Sequence, residues 1–229
     1  MTATHLVKLC VALGALHAGV ATAALAWDNG APASLIPGVI PDSSNLSELR
    51  QAEDFTLSTT SNLTSVTFWT LESQAADFTG SIFYEILGDA VGAPGVTSFG
   101  SGLASVTRTA AGSAGGFDQF QNDMALSVTN LAAGTYWLAL HNGPLASTNF
   151  TDFAWSWTGL NAVNTPTSRG QEFSLNPLAV AWNTNDAEHA FSVYADAVVI
   201  NPGLPEPATW LLIGAGAAAL VRRPRRAVL

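Results

Sequence analysis

The chain has 229 residues, 17 acidic side chains against eight basic ones, and a single cysteine, Cys10. Lys8 and four arginines lie at the two ends, so residues 27–206 hold three arginines and all 17 acids, a net charge of −14, with no lysine and no cysteine. This composition argues against nucleic-acid binding, which needs a basic face. It excludes disulfides and thiolate chemistry in that segment, so a hydrophobic core must supply the stability.

The first 26 residues have the pattern of a secretory signal peptide. Lys8 precedes an apolar stretch at 9–21, and small residues follow it up to Ala26. A basic start, an apolar region and an A-x-A end are typical of export signals. We therefore predict a signal peptide helix within 1–26, with cleavage by signal peptidase after Ala26 as first choice and after Ala23 as second.

The next 173 residues divide into an irregular leader and a domain of short strands. Prolines and glycines interrupt residues 27–50, which predicts an irregular leader. Residues 51–199 show apolar side chains alternating with a period of two between glycine-rich breaks, which is typical of strands. The glycine-rich stretch 109–116 is predicted to be a loop. Nine candidate strands lie at 55–59, 66–69, 82–87, 103–109, 124–129, 135–141, 153–158, 178–182 and 190–197.

This pattern predicts an all-β domain, a single β-sandwich of jelly-roll type, because no strongly periodic helix interrupts the strands. Alternation also predicts which side chains face the core. The residues expected to point inward are Phe55, Val66, Phe68, Ile82, Tyr84, Ile86, Leu126, Val128, Tyr136, Leu138 and Phe191.

The C-terminal tail, 205–229, follows a short linker at 200–204 and combines three features. Pro205, Glu206 and Pro207 form a rigid tripeptide, because proline fixes φ and lacks an N–H. The 14 residues of 208–221 are uncharged and predict a short transmembrane helix of about 21 Å, less than the roughly 30 Å hydrocarbon core. Four basic residues follow, which favour the cytoplasmic side: Arg222, Arg223, Arg225 and Arg226.

These three features, in this order, resemble the PEP-CTERM sorting signal of exported bacterial proteins. The resemblance implies processing by an exosortase-type membrane transpeptidase, with Pro205, Glu206 and Pro207 as recognition elements. It also implies that residues 208–221 hold the precursor in the inner membrane during transit, oriented by the four arginines. The processed protein is then expected at the cell surface or outside the cell.

A second resemblance covers the middle of the chain. Residues 51–57, 64–69, 131–138 and 155–157 are similar to the exported β-sandwich domains that commonly precede PEP-CTERM tails. This resemblance implies a fold and a location, and it supplies no catalytic residues. The function it suggests is a non-enzymatic surface or matrix protein linked to exopolysaccharide or biofilm.

Two alternative functions stay open. A carbohydrate-binding module would use exposed aromatic side chains, with Trp137, Trp155 and Trp157 as candidate glycan contacts. Trp155 and Trp157 lie two apart on one face of a strand, and Trp137 would point outward if Tyr136 and Leu138 point inward. A secreted glycosidase is a more distant alternative, because carboxylate pairs are set in three dimensions and cannot be read from sequence.

No cofactor and no metal site are expected. His141 is expected to point outward with Trp137, and His189 is expected in a solvated loop because acidic residues precede it. The two histidines are isolated in sequence, whereas zinc needs three or four ligands at regular spacing. Asp118 and Asp123 form a weak calcium candidate, although the D-x-D-x-D-G pattern is missing and a turn between strands explains them better. Catalytic signatures such as G-x-S-x-G and H-E-x-x-H are also missing, so no catalytic residue is predicted.

Overall fold

A computed structural model describes residues 23–32, 43–47, 49–73, 78, 80–114, 116–146, 155–158, 171–174, 181–185 and 188–198. Within them the fold is all-β, with thirteen strands in two antiparallel sheets and no helix. The predicted signal peptide helix and the predicted tail helix lie outside these residues. No helix within the described ranges is long and apolar enough to cross a membrane.

The first sheet is built around its longest-paired strand, β4. It contains β1 (Ala24–Asp28), β2 (Ser43–Asn45), β4 (Ser61–Glu72), β7 (Val106–Ala114), β8 (Phe117–Leu131), β10 (Trp155–Thr158) and β13 (Phe191–Ala197). Strands β13 and β10 pair with successive parts of β4, and β8 pairs with it along its whole length. β1, β2 and β7 then extend this sheet by pairing with β13, β10 and β8.

The second sheet has six strands in the order β12-β11-β3-β9-β5-β6. Their bounds are β12 (Asn183–Thr184), β11 (Gln171–Ser174), β3 (Leu49–Leu57), β9 (Gly134–Asn142), β5 (Ile82–Asp89) and β6 (Pro94–Ala104). The chain passes from this sheet to the first one at Ser105, between β6 and β7. The chain thus connects the two sheets directly at this point, and the sheets enclose a common interior.

One hydrophobic core joins the inner faces of the two sheets, as in a β-sandwich. Ten of the eleven side chains predicted to face inward are buried in it, and Tyr84 packs against it half-buried. The ring of Trp157 lies edge-on to Phe68 and Phe191, with ring centroids 6.3 Å and 5.7 Å apart. Because the period-two pattern placed these residues correctly, the sandwich predicted from the sequence fits the structure.

Two predictions about irregular segments are wrong. The leader 27–50 supplies the end of β1, all of β2 and the start of β3. β1 and β2 lie at the edges of the first sheet, whereas the start of β3 pairs with β11 inside the second sheet. Pieces of two or three residues are too short for alternation to reveal them. The expected loop at 109–116 is the tip of the β7–β8 hairpin, and Gly116 makes its turn with a positive φ of 88°.

We expect Phe191→Ala to lower the free energy of unfolding by about 3–5 kcal/mol, because it removes a large side chain from a close-packed core. Phe191 is fully buried, whereas Phe99, 47% exposed on β6, offers a matched control. Urea denaturation followed by tryptophan fluorescence measures both variants. A loss from Phe99→Ala as large as that from Phe191→Ala would contradict this description of the core.

Candidate functional site

A concavity lies on the outer face of the second sheet. Arg50 in β3 and Glu85 in β5 point to this face, because they lie two residues from Ala52 and Leu87, which pack in a second apolar cluster outside the main core. The cavity has a volume of about 530 Å³. Its lining includes Arg50, Glu85, Leu87, Pro94, Phe173 and Trp182. We call it the Arg50 cleft.

Arg50 is the best-fixed polar group of the Arg50 cleft. Its Nη1 donates to Oε2 of Glu85 at 2.6 Å, and both side chains are largely buried. The guanidinium carbon lies 4.8 Å from the ring centre of Phe173 and 4.9 Å from that of Trp182. Burial lowers the pKa of Arg50, while the charge of Glu85 opposes this shift. Two aromatic rings and an ion pair thus hold one cation in a fixed position.

The chemistry available in the Arg50 cleft favours binding over catalysis. Concave sites that combine aromatic surface with a few fixed polar groups are typical of small-ligand recognition. Glycoside hydrolysis needs two carboxyl groups about 5–9.5 Å apart. Among the described lining residues Glu85 is the single carboxylate, and it is already paired with Arg50. The cleft therefore lacks, in its described part, the pair that the glycosidase alternative requires.

A second unusual feature is a buried acid–base pair inside the sandwich. Glu53 in β3 and His189, two residues before β13, have no exposed surface. Oε2 of Glu53 accepts from the backbone N–H of His189 at 2.9 Å and lies 2.8 Å from its Nδ1. The imidazole stacks on Trp157 with centroids 4.6 Å apart, and Nε1 of Trp157 donates to the carbonyl of Ala190 at 3.0 Å.

Burial raises the pKa of Glu53, because a charged carboxylate loses its solvation in the core. The hydrogen bond and charge of His189 act in the opposite direction, and the nearby Glu188 adds to the increase. An acid and a base in contact could transfer a proton, but neither side chain reaches solvent or the Arg50 cleft surface. This arrangement is suited to holding the two sheets together.

A polar cluster at the far end of β4 is built on a similar plan. Arg108 pairs with the buried Glu72, and Oε1 of Glu72 accepts from Oγ1 of Thr70 at 2.9 Å. The Arg108 guanidinium carbon lies 4.5 Å from the ring centre of Phe78 and 4.0 Å from that of Phe120. Arg50 and Arg108 therefore each combine one glutamate with two aromatic rings.

Two of the three predicted glycan contacts, Trp137 and Trp157, are buried. Trp137 does point away from the core, as expected, but it is 1% exposed, because Ala52, Leu87 and Trp182 cover it. Its Nε1 donates to Asp89 at 2.9 Å. Trp157 is fully buried in the main core. The expected outward exposure of Trp137 is therefore wrong, since an outward face is not a bare face here.

Other candidates from the sequence also take different places. The side chain of Trp155 lies outside the described residues, although its backbone belongs to β10. His141, also expected outward, is fully buried, and its Nδ1 lies 3.0 Å from the carbonyl of Gly143. Burial lowers the pKa of His141. His189 belongs to the core, whereas its acidic neighbourhood in sequence had suggested a solvated loop.

The weak calcium candidate has strand geometry. Asp118 and Asp123 both lie in β8, where a turn was expected, and five steps along a strand separate them by about 17 Å. Asp123 accepts from Oγ1 of Thr67 at 2.6 Å. Within the part of the chain that the structure describes, no group of three or more acidic, histidine or cysteine side chains could hold a metal ion.

Sequence reasoning missed the residues that define the site. Arg50 and Glu85 are 35 residues apart, and Glu53 and His189 are 136 apart. Short-range motifs cannot reveal such pairs. One signal was available: a charged residue among apolar inward positions, such as Glu53 before Phe55, requires a buried partner.

The sorting segment lies outside the described residues, and comparison with known families identifies it. The last strand of the β-sandwich ends at Ala197, shortly before the tail. Residues 204–226 match the PEP-CTERM protein-sorting motif. This match supports a PEP-CTERM domain-containing exosortase substrate, and it implies an exported protein that passes the membrane and is processed by a membrane enzyme. No curated protein matches the chain.

We expect Glu53→Gln to change the pH dependence of stability. Because the pKa of Glu53 is raised in the folded protein, the folded state retains a proton that the unfolded chain releases near pH 4.5. The stability from this group is full below that pH and is lost as pH rises through the folded pKa. Wild type should therefore lose stability relative to Glu53→Gln between pH 4.5 and neutral pH.

Urea denaturation at a series of pH values measures this difference. Titrating groups that do not contact Glu53, such as His141, are present in both proteins, so their contributions cancel in the comparison. A wild-type protein that gains stability relative to Glu53→Gln as pH rises would show that the carboxylate form is preferred in the core.

Proposed function

We propose that this protein is a non-enzymatic bacterial surface or extracellular-matrix protein, exported and then processed by an exosortase-type system, with a role linked to exopolysaccharide or biofilm. The match of residues 204–226 to the PEP-CTERM protein-sorting motif carries this proposal. The acidic, cysteine-free segment 27–206 supports it, because such a domain needs neither disulfides nor a reducing compartment.

The proposed pathway assigns a task to each part of the chain. Signal peptidase removes the signal peptide, and the apolar run 208–221 holds the tail in the inner membrane. Arg222 and the following arginines keep the end of the chain in the cytoplasm. Exosortase then acts near Pro205–Pro207 and delivers the β-sandwich to the cell surface or beyond.

Replacing Pro205, Glu206 and Pro207 with alanine should leave an unprocessed, membrane-bound precursor, because the enzyme loses its recognition element. Replacing Ile200, Asn201 and Pro202 with alanine is a matched control, which also removes a proline from the same segment. Cell fractionation and intact mass measurement in a host with an exosortase compare the variants. Normal processing of the 205–207 variant would refute the sorting function of the tail.

A second candidate function, carbohydrate binding, is favoured by the Arg50 cleft. The ring of Trp182 and the ion pair of Arg50 and Glu85 offer an apolar plane beside hydrogen-bonding groups. The charge of −14 over 27–206 repels anionic polymers, so the ligand class would be a neutral glycan. This surface differs from the one that the sequence suggested, because Trp182 and Phe173 take the place of Trp137 and Trp157.

Affinity electrophoresis of the processed protein through gels containing neutral polysaccharides tests this candidate, with alginate as an anionic comparison. We expect Trp182→Ala to weaken retardation at least about tenfold, which corresponds to about 1.4 kcal/mol. Phe99→Ala removes an exposed ring outside the Arg50 cleft and should bind like wild type. Because Trp182 also packs on Trp137, Glu85→Gln serves as a second variant that leaves this packing intact.

No retardation of the wild type in any neutral polysaccharide, or an equal loss in Phe99→Ala, would exclude the Arg50 cleft as a glycan site. A protein retarded by alginate alone would contradict the charge argument.

A further inference from the structure

β1 is the first strand among the described residues, and it is part of the first sheet. β1 pairs with β13 in the register Ala24↔Ala195, Leu25↔Tyr194, Trp27↔Val193 and Asp28↔Ser192. Ala26 and Trp27 pack half-buried against the main core. β1 is therefore an integral edge of the first sheet, and its first paired residue is Ala24.

Contacts at the end of β1 and directly after it hold the strand in this place. Oδ1 of Asp28 accepts from Oγ of Ser192 at 2.9 Å. The backbone N–H of Asn29 donates to the carbonyl of Phe191 at 2.9 Å, and Nδ2 of Asn29 donates to the carbonyl of His189 at 2.9 Å. These bonds fix the register of β1, so the loss of its first residues could not be compensated by a shift along β13.

The predicted signal peptide, 1–26, contains two A-x-A sequences, Ala21-Thr22-Ala23 and Ala24-Leu25-Ala26. Cleavage after Ala26 would remove three of the five residues of β1 and two of its four pairs with β13. It would also place a charged α-amino group on the half-buried Trp27, which costs solvation energy. Cleavage after Ala23 keeps the whole strand and leaves the new charge on the exposed Ala24.

We infer that signal peptidase hydrolyses the Ala23–Ala24 bond, so that the mature protein begins with β1. Water adds across this peptide bond, which leaves a carboxylate on Ala23 of the signal peptide and an α-amino group on Ala24 of the mature chain. This inference rests on the proposed export of the protein. It reverses the order of the two sites favoured by the sequence pattern.

The fold does not hide this bond from the enzyme during export. Ala195, the strand partner of Ala24, lies 171 positions later in the chain. β1 therefore cannot pair until β13 has crossed the membrane, and the Ala23–Ala24 bond stays accessible until then. Small residues at Ala21 and Ala23 supply the −3 and −1 positions that a signal peptidase reads.

The test is the mass of the N-terminal peptide of the protein secreted by a bacterial host that expresses the full chain. We expect a single new terminus at Ala24. A terminus at Trp27 would overturn this inference and leave the export proposal intact. A chain that keeps Met1 would overturn both.

Two variants, one at each of the two A-x-A sequences, test further which bond is cleaved. Ala23→Leu places a bulky residue at the −1 position and should block or displace cleavage, so that the Ala24 terminus disappears. Ala26→Leu is the matched control, which should still yield the Ala24 terminus. If Ala26→Leu abolishes cleavage while Ala23→Leu does not, the site after Ala26 is the one used.

Discussion

A carboxyl group in an apolar core must find a partner, and Glu53 finds its partner in the opposite sheet. Its contact with His189 joins β3 to the segment that enters β13, and the imidazole lies on the ring of Trp157 in β10. The hydrophobic effect is not directional, so apolar burial by itself does not select one relative position of the two sheets. The hydrogen bonds of 2.8 and 2.9 Å between Glu53 and His189 are directional and fix that position.

This contact also lies next to β1, the edge strand that pairs with β13. Asn29 bonds to the carbonyl of His189, and β1 continues along β13 from there. Ala24 thus lies beside Ala195, and the N–H of Val198 donates to the carbonyl of Thr60 at 3.0 Å. Seven residue steps, at most about 25 Å, connect Val198 to Pro205. Ala24 and Val198, the described residues nearest in sequence to the two proposed processing sites, therefore lie at the same end of β13.

The sequence predicted the parts of this protein that depend on local pattern. Alternation placed residues such as Phe55 and Leu138 in the core, and the tail is a linear motif that needs no fold to be recognised. Features that depend on distant residues escaped. Trp137 points outward as predicted, yet Trp182 covers it, and neither this cover nor the partner of Glu53 could be inferred from neighbours in sequence.

A double-mutant cycle between Glu53 and His189 tests most directly whether their contact joins the sheets. Glu53→Met and His189→Leu each leave one buried polar partner unpaired, whereas the double variant removes both groups with little change in volume. We expect the double variant to be more stable than the sum of the two losses implies, with a coupling of at least about 1 kcal/mol in urea denaturation. Losses that add to within about 0.5 kcal/mol would contradict it.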